Sequence, residues 1–100
     1  MGSFEVRFLE AALSDLEEIT IYIATENKEA AKELHALIIT RAKELSTLPY
    51  RGPKIPDEKI SAMGFRYLSI GKYLIFYKAE KDTVFIHRIL DGRRDYPGLF

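Results

Sequence analysis

The stretch FRYLSIGKYLIFYKAEKDTVFIHRIL, residues 65–90, decides the fold. It contains segments rich in aromatic and β-branched residues at Phe65–Ile70, Lys72–Ala79 and Thr83–Leu90. Such residues fit a pleated, packed surface, so each segment is predicted as a strand. Gly71 separates the first pair and Glu80-Lys81-Asp82 the second. Both gaps are of hairpin length, so the strands are expected to form an antiparallel meander.

Upstream, Tyr50–Ser61 reads as a loop, with Gly52, Pro53 and Pro56 as breakers. Before it, Ala31, Leu34, Ile38, Leu45 and Leu48 form one apolar face, with Ala42 bridging the gap. That spacing predicts a helix from Lys28 to about Leu48, stopped by Pro49 and N-capped by Asn27. Earlier still, Ala12, Leu16, Ile19 and Ile23 follow helical spacing, with Asp15, Glu17 and Glu18 opposite. Ser14 and Glu17 match a capping box, so this helix begins somewhere between Glu10 and Ser14. Phe4–Leu9 alternates with period two and reads as a short first strand. The tail Asp91–Phe100, with Gly92, Pro97 and Gly98, is expected to be irregular. The predicted order is β-α-α-β-β-β. This is an α+β fold in which an N-terminal helical hairpin packs on an antiparallel sheet, since two helices joined by so short a turn pack antiparallel.

The 100 residues are expected to form one domain over residues 1–100. A hydrophobic fraction of 47% excludes disorder, and no apolar run approaches the about 20 residues of a membrane span. The N-terminus carries Glu5, Arg7 and Glu10 where a signal peptide needs an apolar stretch, and Val6 breaks the myristoylation pattern after Gly2. The absence of cysteine excludes disulfides, thiolate zinc sites and thiol catalysis. A cytoplasmic protein without metal or other cofactor is expected. There is no GxGxxG, P-loop, HExxH or paired-carboxylate signature.

The net charge of zero hides a polarity. Residues 1–50 carry five Lys/Arg against nine Asp/Glu, or −4, and residues 51–100 carry ten against six, or +4. A basic C-terminal half fits an anionic partner, or a simple segregation of charge between helices and sheet. His35 is expected as a partly buried packing residue on the second helix. His87, mid-strand, reads either as packing or as a general base, with no orienting partner evident in the sequence. Arg66, Arg88, Arg93 and Arg94 would converge if the second and fourth strands lie close together. Their forked donors suit phosphate or carboxylate, and Tyr67, Tyr73, Tyr77 and Tyr96 would supply aromatic faces. The alternative is that Arg66 and Arg88 pair with Asp82, Asp91 or Asp95 to hold the meander together.

Several motifs in order resemble a known family. They are Ala12-x-x-Asp15-Leu16-x-x-Ile19-x-x-Tyr22-Ile23, Leu48-Pro49-x-x-Gly52, Gly64-Phe65-Arg66-Tyr67-Leu68, Gly71-Lys72-Tyr73-Leu74-Ile75-Phe76-Tyr77, and Val84-x-Ile86-x-Arg88-Ile89-Leu90-Asp91-Gly92-Arg93-Arg94-Asp95. From about residue 4 to residue 98 the chain resembles the RelE/ParE superfamily of type II toxin–antitoxin toxins. The resemblance implies two N-terminal helices backing an antiparallel sheet. It also implies a cognate antitoxin that wraps an extended or helical segment around the toxin.

The superfamily divides by target. RelE-like members cleave mRNA on the ribosome without a metal, and ParE-like members block DNA gyrase. Cleavage by 2′-OH attack needs a base, an acid and cations for the phosphorane. Here Phe100 stands where RelE-like toxins place a terminal Tyr, and phenylalanine moves no proton. Asp91 replaces the common family His and opposes the field of Arg93 and Arg94. Lys54 and Lys59 echo the RelE-like lysine pair only loosely, whereas the long hairpin is typical of ParE-like members. The resemblance therefore favours a non-enzymatic gyrase inhibitor with a binding surface of Arg66, Arg88, Arg93, Arg94, Tyr96 and Phe100. The alternative is a ribosome-dependent endoribonuclease in which Arg66 and Arg94 stabilise phosphate while His87 or Tyr96 moves protons. A degenerate member that only binds its antitoxin is the third reading.

Overall fold

The computed structural model describes residues 3–92. In chain order it has β1 (Glu5–Phe8), α1 (Glu10–Ala24), α2 (Lys28–Glu44), α3 (Glu58–Ala62), β2 (Phe65–Ile70), β3 (Tyr73–Glu80) and β4 (Thr83–Asp91). The strands form a sheet in the order β1-β4-β3-β2. β2, β3 and β4 run as the expected antiparallel meander, with a register shift between Phe76 and Tyr77 where β3 meets β4. β1 adds to β4 in parallel, Val6 opposite Val84 and Phe8 opposite Ile86, so the sheet is mixed rather than wholly antiparallel. The helical hairpin carries the chain back across the sheet before the meander begins, and a crossover of that length permits parallel pairing.

Local chemistry sets the helix boundaries. Asn27, at φ −152°, accepts the Ala30 N–H at 3.0 Å and separates α1 from α2 as expected. α1 begins at Glu10 after Leu9, which offers no side-chain cap, so the Ser14–Glu17 box is not used. α2 ends at Glu44, earlier than the sequence predicts. A turn follows, in which Leu45 remains buried while Leu48 is 55% exposed. His35 is exposed, against the expectation of partial burial. The segment read as loop contains α3, because Asp57 caps it by accepting the Ile60 N–H at 3.0 Å and Ile60 enters the core.

The apolar run of β3 is explained by cover on both sheet faces. Ile75, Tyr77, Val84, Ile86 and Ile89 pack under the helices with Leu16, Ile38, Ala42 and Leu45. Phe76 and Leu90 pack on the other face with Phe65, Ile55 and Ile60, from β2, the loop before α3, and α3. The connection between the helices and β2 is thus part of the fold, closing the second core. No helix among the described residues is long and apolar enough to cross a membrane.

Candidate functional site

Two polar clamps fix the meander to the rest of the chain, and each uses an arginine that the sequence offered for binding. On β2, Arg66 donates from Nη1 to the carbonyls of Gly52 at 2.8 Å and Tyr50 at 3.3 Å. Its guanidinium also lies 5.3 Å from the centre of the Tyr50 ring. Beneath it the buried Tyr77 hydroxyl accepts the Gly52 N–H at 2.9 Å. A side chain at residue 52 would collide with the Tyr67 carbonyl and the Tyr77 hydroxyl, so only glycine fits. Burial raises the Tyr77 phenol above its ordinary value, opposed by the Gly52 hydrogen bond and by Arg66 and Arg51. The Leu48-Pro49-x-x-Gly52 and Gly64-Phe65-Arg66-Tyr67-Leu68 motifs are therefore two halves of one contact.

On β4, Arg88 donates from Nε to Asp15 Oδ2 at 2.7 Å and from Nη2 to Asp15 Oδ1 at 2.9 Å. Asp15 Oδ2 also accepts the Ile89 backbone N–H at 2.9 Å. β1 ends opposite Ile86, so the carboxylate from α1 takes over the strand edge that β1 leaves open. The Asp15 bond is the largest influence raising the Arg88 guanidinium pKa, and burial opposes it. Asp15 is only 8% exposed, which corrects the expectation that it faces solvent beside Glu17 and Glu18. The spacing of Ala12, Asp15 and Ile19, three then four residues, was the available signal: it puts Asp15 on the inward face.

The expected convergence of arginines does not occur between Arg66 and Arg88. Their strands are separated by β3, and their side chains reach opposite structures, the loop at Gly52 and helix α1. Among the described residues their partners are backbone carbonyls for Arg66 and Asp15 for Arg88, and Asp95 lies outside those residues. Tyr73 and Tyr77 are core residues and Tyr67 packs against the second core, so the three rings form no shared aromatic surface, and Tyr73 alone borders a surface concavity. His87 stands edge-on to Phe65, with ring centres 4.7 Å apart. Burial and the nearby Lys78 push its imidazole below the ordinary value, against the pull of Glu80. The packing alternative for His87 matches this geometry. Arg93, Arg94, Tyr96 and Phe100 lie outside the described residues.

The end of β4 is nevertheless placed. The Gly92 N–H donates to the Lys72 carbonyl at 2.7 Å, and Lys72 Nζ lies 3.8 Å from Asp91 Oδ2. Chain exit is thereby tied to the β2–β3 turn, where Gly71 takes φ +58°. A concavity of about 400 Å³ opens at this point, lined by Glu18, Ile19, Tyr22, Lys72, Tyr73 and Asp91. Tyr22, from the recognised helix motif, is 74% exposed beside it. No group of His, Cys, Asp or Glu among the described residues is arranged to hold a metal ion.

The fold recurs in solved structures. A chain of the chromosomal ParDE toxin–antitoxin system of Pseudomonas aeruginosa superposes with a TM-score of 0.72 at 21% identity, covering 89% of this chain and 96% of that one. The RelBE2 toxin–antitoxin complex of Mycobacterium tuberculosis gives 0.68 at 24% identity, covering 91% and 93%. A conserved hypothetical protein of Helicobacter pylori gives 0.55 at 13% identity, covering 88% and 93%. At these identities the likeness establishes the fold. No curated protein matches the chain. The family model of the ParE toxins of type II toxin–antitoxin systems, parDE, matches residues 6–96, nearly the whole sequence, and the chain belongs to that family.

Proposed function

We propose that this ParE-family toxin acts in the cytoplasm by binding and blocking DNA gyrase, without catalysis of its own, and that its cognate antitoxin neutralises it. The observation carrying this reading is the engagement within the fold of two of the four groups named for the nuclease alternative, Arg66 and His87. Arg66 is held by two backbone carbonyls, and His87 is packed against Phe65 with a lowered pKa. Desolvation makes His87 a weaker base, and the two carbonyls hold Arg66 through its Nη1, so both groups serve packing and loop anchoring. The basic tail remains as the binding element. In the sequence Arg93 and Arg94 come directly after Gly92, whose N–H is tied to the Lys72 carbonyl. Arg93, Arg94, Tyr96 and Phe100 are accordingly the proposed gyrase contacts, with Arg66 and Arg88 shaping the scaffold that presents them.

A supercoiling assay with purified protein, run beside a translating extract probed for mRNA cleavage, tests the reading. Loss of supercoiling with accumulation of linear DNA and intact mRNA is expected. Removal of residues 96–100 is expected to abolish the inhibition while the circular-dichroism spectrum and melting curve persist. Cleaved mRNA with unaffected gyrase would reverse the assignment in favour of the endoribonuclease, and silence in both assays would leave only antitoxin binding.

A further inference from the structure

The concavity between α1 and the end of β4, about 400 Å³ in volume, joins two phenol rings, Tyr22 and Tyr73, to two carboxylates, Glu18 and Asp91. Glu18 and Tyr22 lie one helical turn apart and so share a face of α1, with the Tyr22 side chain largely in solvent. Lys72, on the opposite wall, shows what this surface attracts. Its ammonium lies 3.8 Å from Asp91 Oδ2 and 5.5 Å from the centre of the Tyr73 ring, a carboxylate and an aromatic face around one cation. Glu18 and Tyr22 offer the same two kinds of group on the α1 wall, and Glu18 forms no ion pair among the described residues. Arg88 feels the charge of Glu18, but its guanidinium is already forked onto Asp15. With two carboxylates against one ammonium, the lining is net negative.

We propose that this concavity captures an arginine side chain of a partner protein. The planar guanidinium lies against the Tyr22 ring while its forked N–H groups donate to the Glu18 carboxylate, and its aliphatic stem covers Ile19. A lysine brings a point charge without the plane or the fork, so it fits less well. Phosphate and carboxylate ligands meet a lining of their own sign. An apolar segment would bury Glu18 without a partner. The inference does not depend on the gyrase assignment, since it concerns the chemistry of a surface outside residues 93–100.

The test titrates the 15N-labelled protein with blocked tripeptides, acetyl-Gly-Arg-Gly-amide and its citrulline counterpart, which keeps the shape of arginine and loses the charge. At millimolar concentrations the arginine peptide is expected to shift amides of residues 18–22 and 72–73. It should bind about tenfold tighter than the citrulline peptide, with the difference shrinking as salt rises. Glu18→Gln and Tyr22→Leu, both at exposed positions, are each expected to weaken binding about threefold while the circular-dichroism spectrum persists. Lys72→Gln, which removes the competing ammonium, is expected to tighten it. Equal binding of the two peptides, shifts elsewhere on the protein, full affinity in both α1 variants, weaker binding in Lys72→Gln, or no binding would each overturn the proposal. Two further results would overturn the assignment to a partner protein. Free arginine binding more tightly than the tripeptide would make the ligand a small metabolite, and tighter binding after Arg93→Gln combined with Arg94→Gln would make the chain's own tail the occupant.

Discussion

Asp15 and Arg88, 73 residues apart, form a two-point fork between α1 and β4, and the Ile89 N–H shares the same carboxylate. Removing one partner strands the other in a largely desolvated position. Asp15→Ala is expected to cost about 2–4 kcal/mol, below the fully buried range because the Arg88 side chain keeps about a quarter of its exposure. Chemical denaturation of Asp15→Ala, Arg88→Ala and the double variant should show coupling of about 1–3 kcal/mol. Additive losses would mean that the fork contributes little beyond its separate halves.

The Gly52–Tyr77 contact makes a second, sterically strict prediction. Gly52→Ala should destabilise markedly, since the added methyl meets the Tyr67 carbonyl as well as the Tyr77 hydroxyl. Tyr77→Phe leaves the Gly52 N–H without its acceptor and should cost about 1–3 kcal/mol. Melting temperatures of the two variants decide it, and a Gly52→Ala protein as stable as the parent would refute the close approach.

The raised Tyr77 pKa has a definite sign. Its folded value lies above the unfolded value of about 10, so the folded state holds the proton longer. Stability from this group is complete below pH 10 and falls as pH rises toward the folded pKa. Tyr77→Phe should flatten that alkaline decline in denaturation curves measured across the range.

His87 behaves oppositely. Its folded pKa lies below the unfolded value of about 6.5, so the unfolded chain takes up the proton first on acidification. Stability should fall as pH drops from about 6.5 toward the folded value. His87→Phe should remove that acid-side slope and leave gyrase inhibition intact. A toxin silenced by this change while still folded would instead mark the imidazole as functional.

Lys81 occupies φ +55° in the β3–β4 turn, a region that disfavours any side chain with a Cβ. Lys81→Gly relieves about 1–2 kcal/mol of backbone strain and costs about 0.5–1 kcal/mol in chain entropy. A small net gain in melting temperature is expected, and a loss would indicate that the lysine makes a compensating contact.

The strands and the helical hairpin were legible because their periodicities are local. Gly71 and the Glu80–Asp82 segment fixed the meander, and Asn27 fixed the break between helices. β1 was legible as a strand but not as a parallel partner of β4, since pairing across the whole chain leaves no local mark. α3 was hidden under the breakers Gly52, Pro53 and Pro56, although Asp57 followed by Ile60 carried its capping pattern. The arginines drew attention as binding groups because charge is visible in sequence while its partners are not. Arg66 bonds backbone carbonyls that composition cannot reveal, and Arg88 meets an aspartate that had been assigned to solvent.

The parallel pairing of β1 with β4 also sets a clock. Val6 and Val84 are neighbours in the sheet but are made far apart in time. At about 5–20 residues per second, the ribosome adds the second of them roughly 4–16 s after the first. Through that interval Leu16, Ile38 and Leu45 have no β4 to cover them, and β1 has no strand beside it. The fold is therefore completed only once β4 has been made, and a nascent chain interrupted before residue 83 lacks an interior strand against which both its cores close.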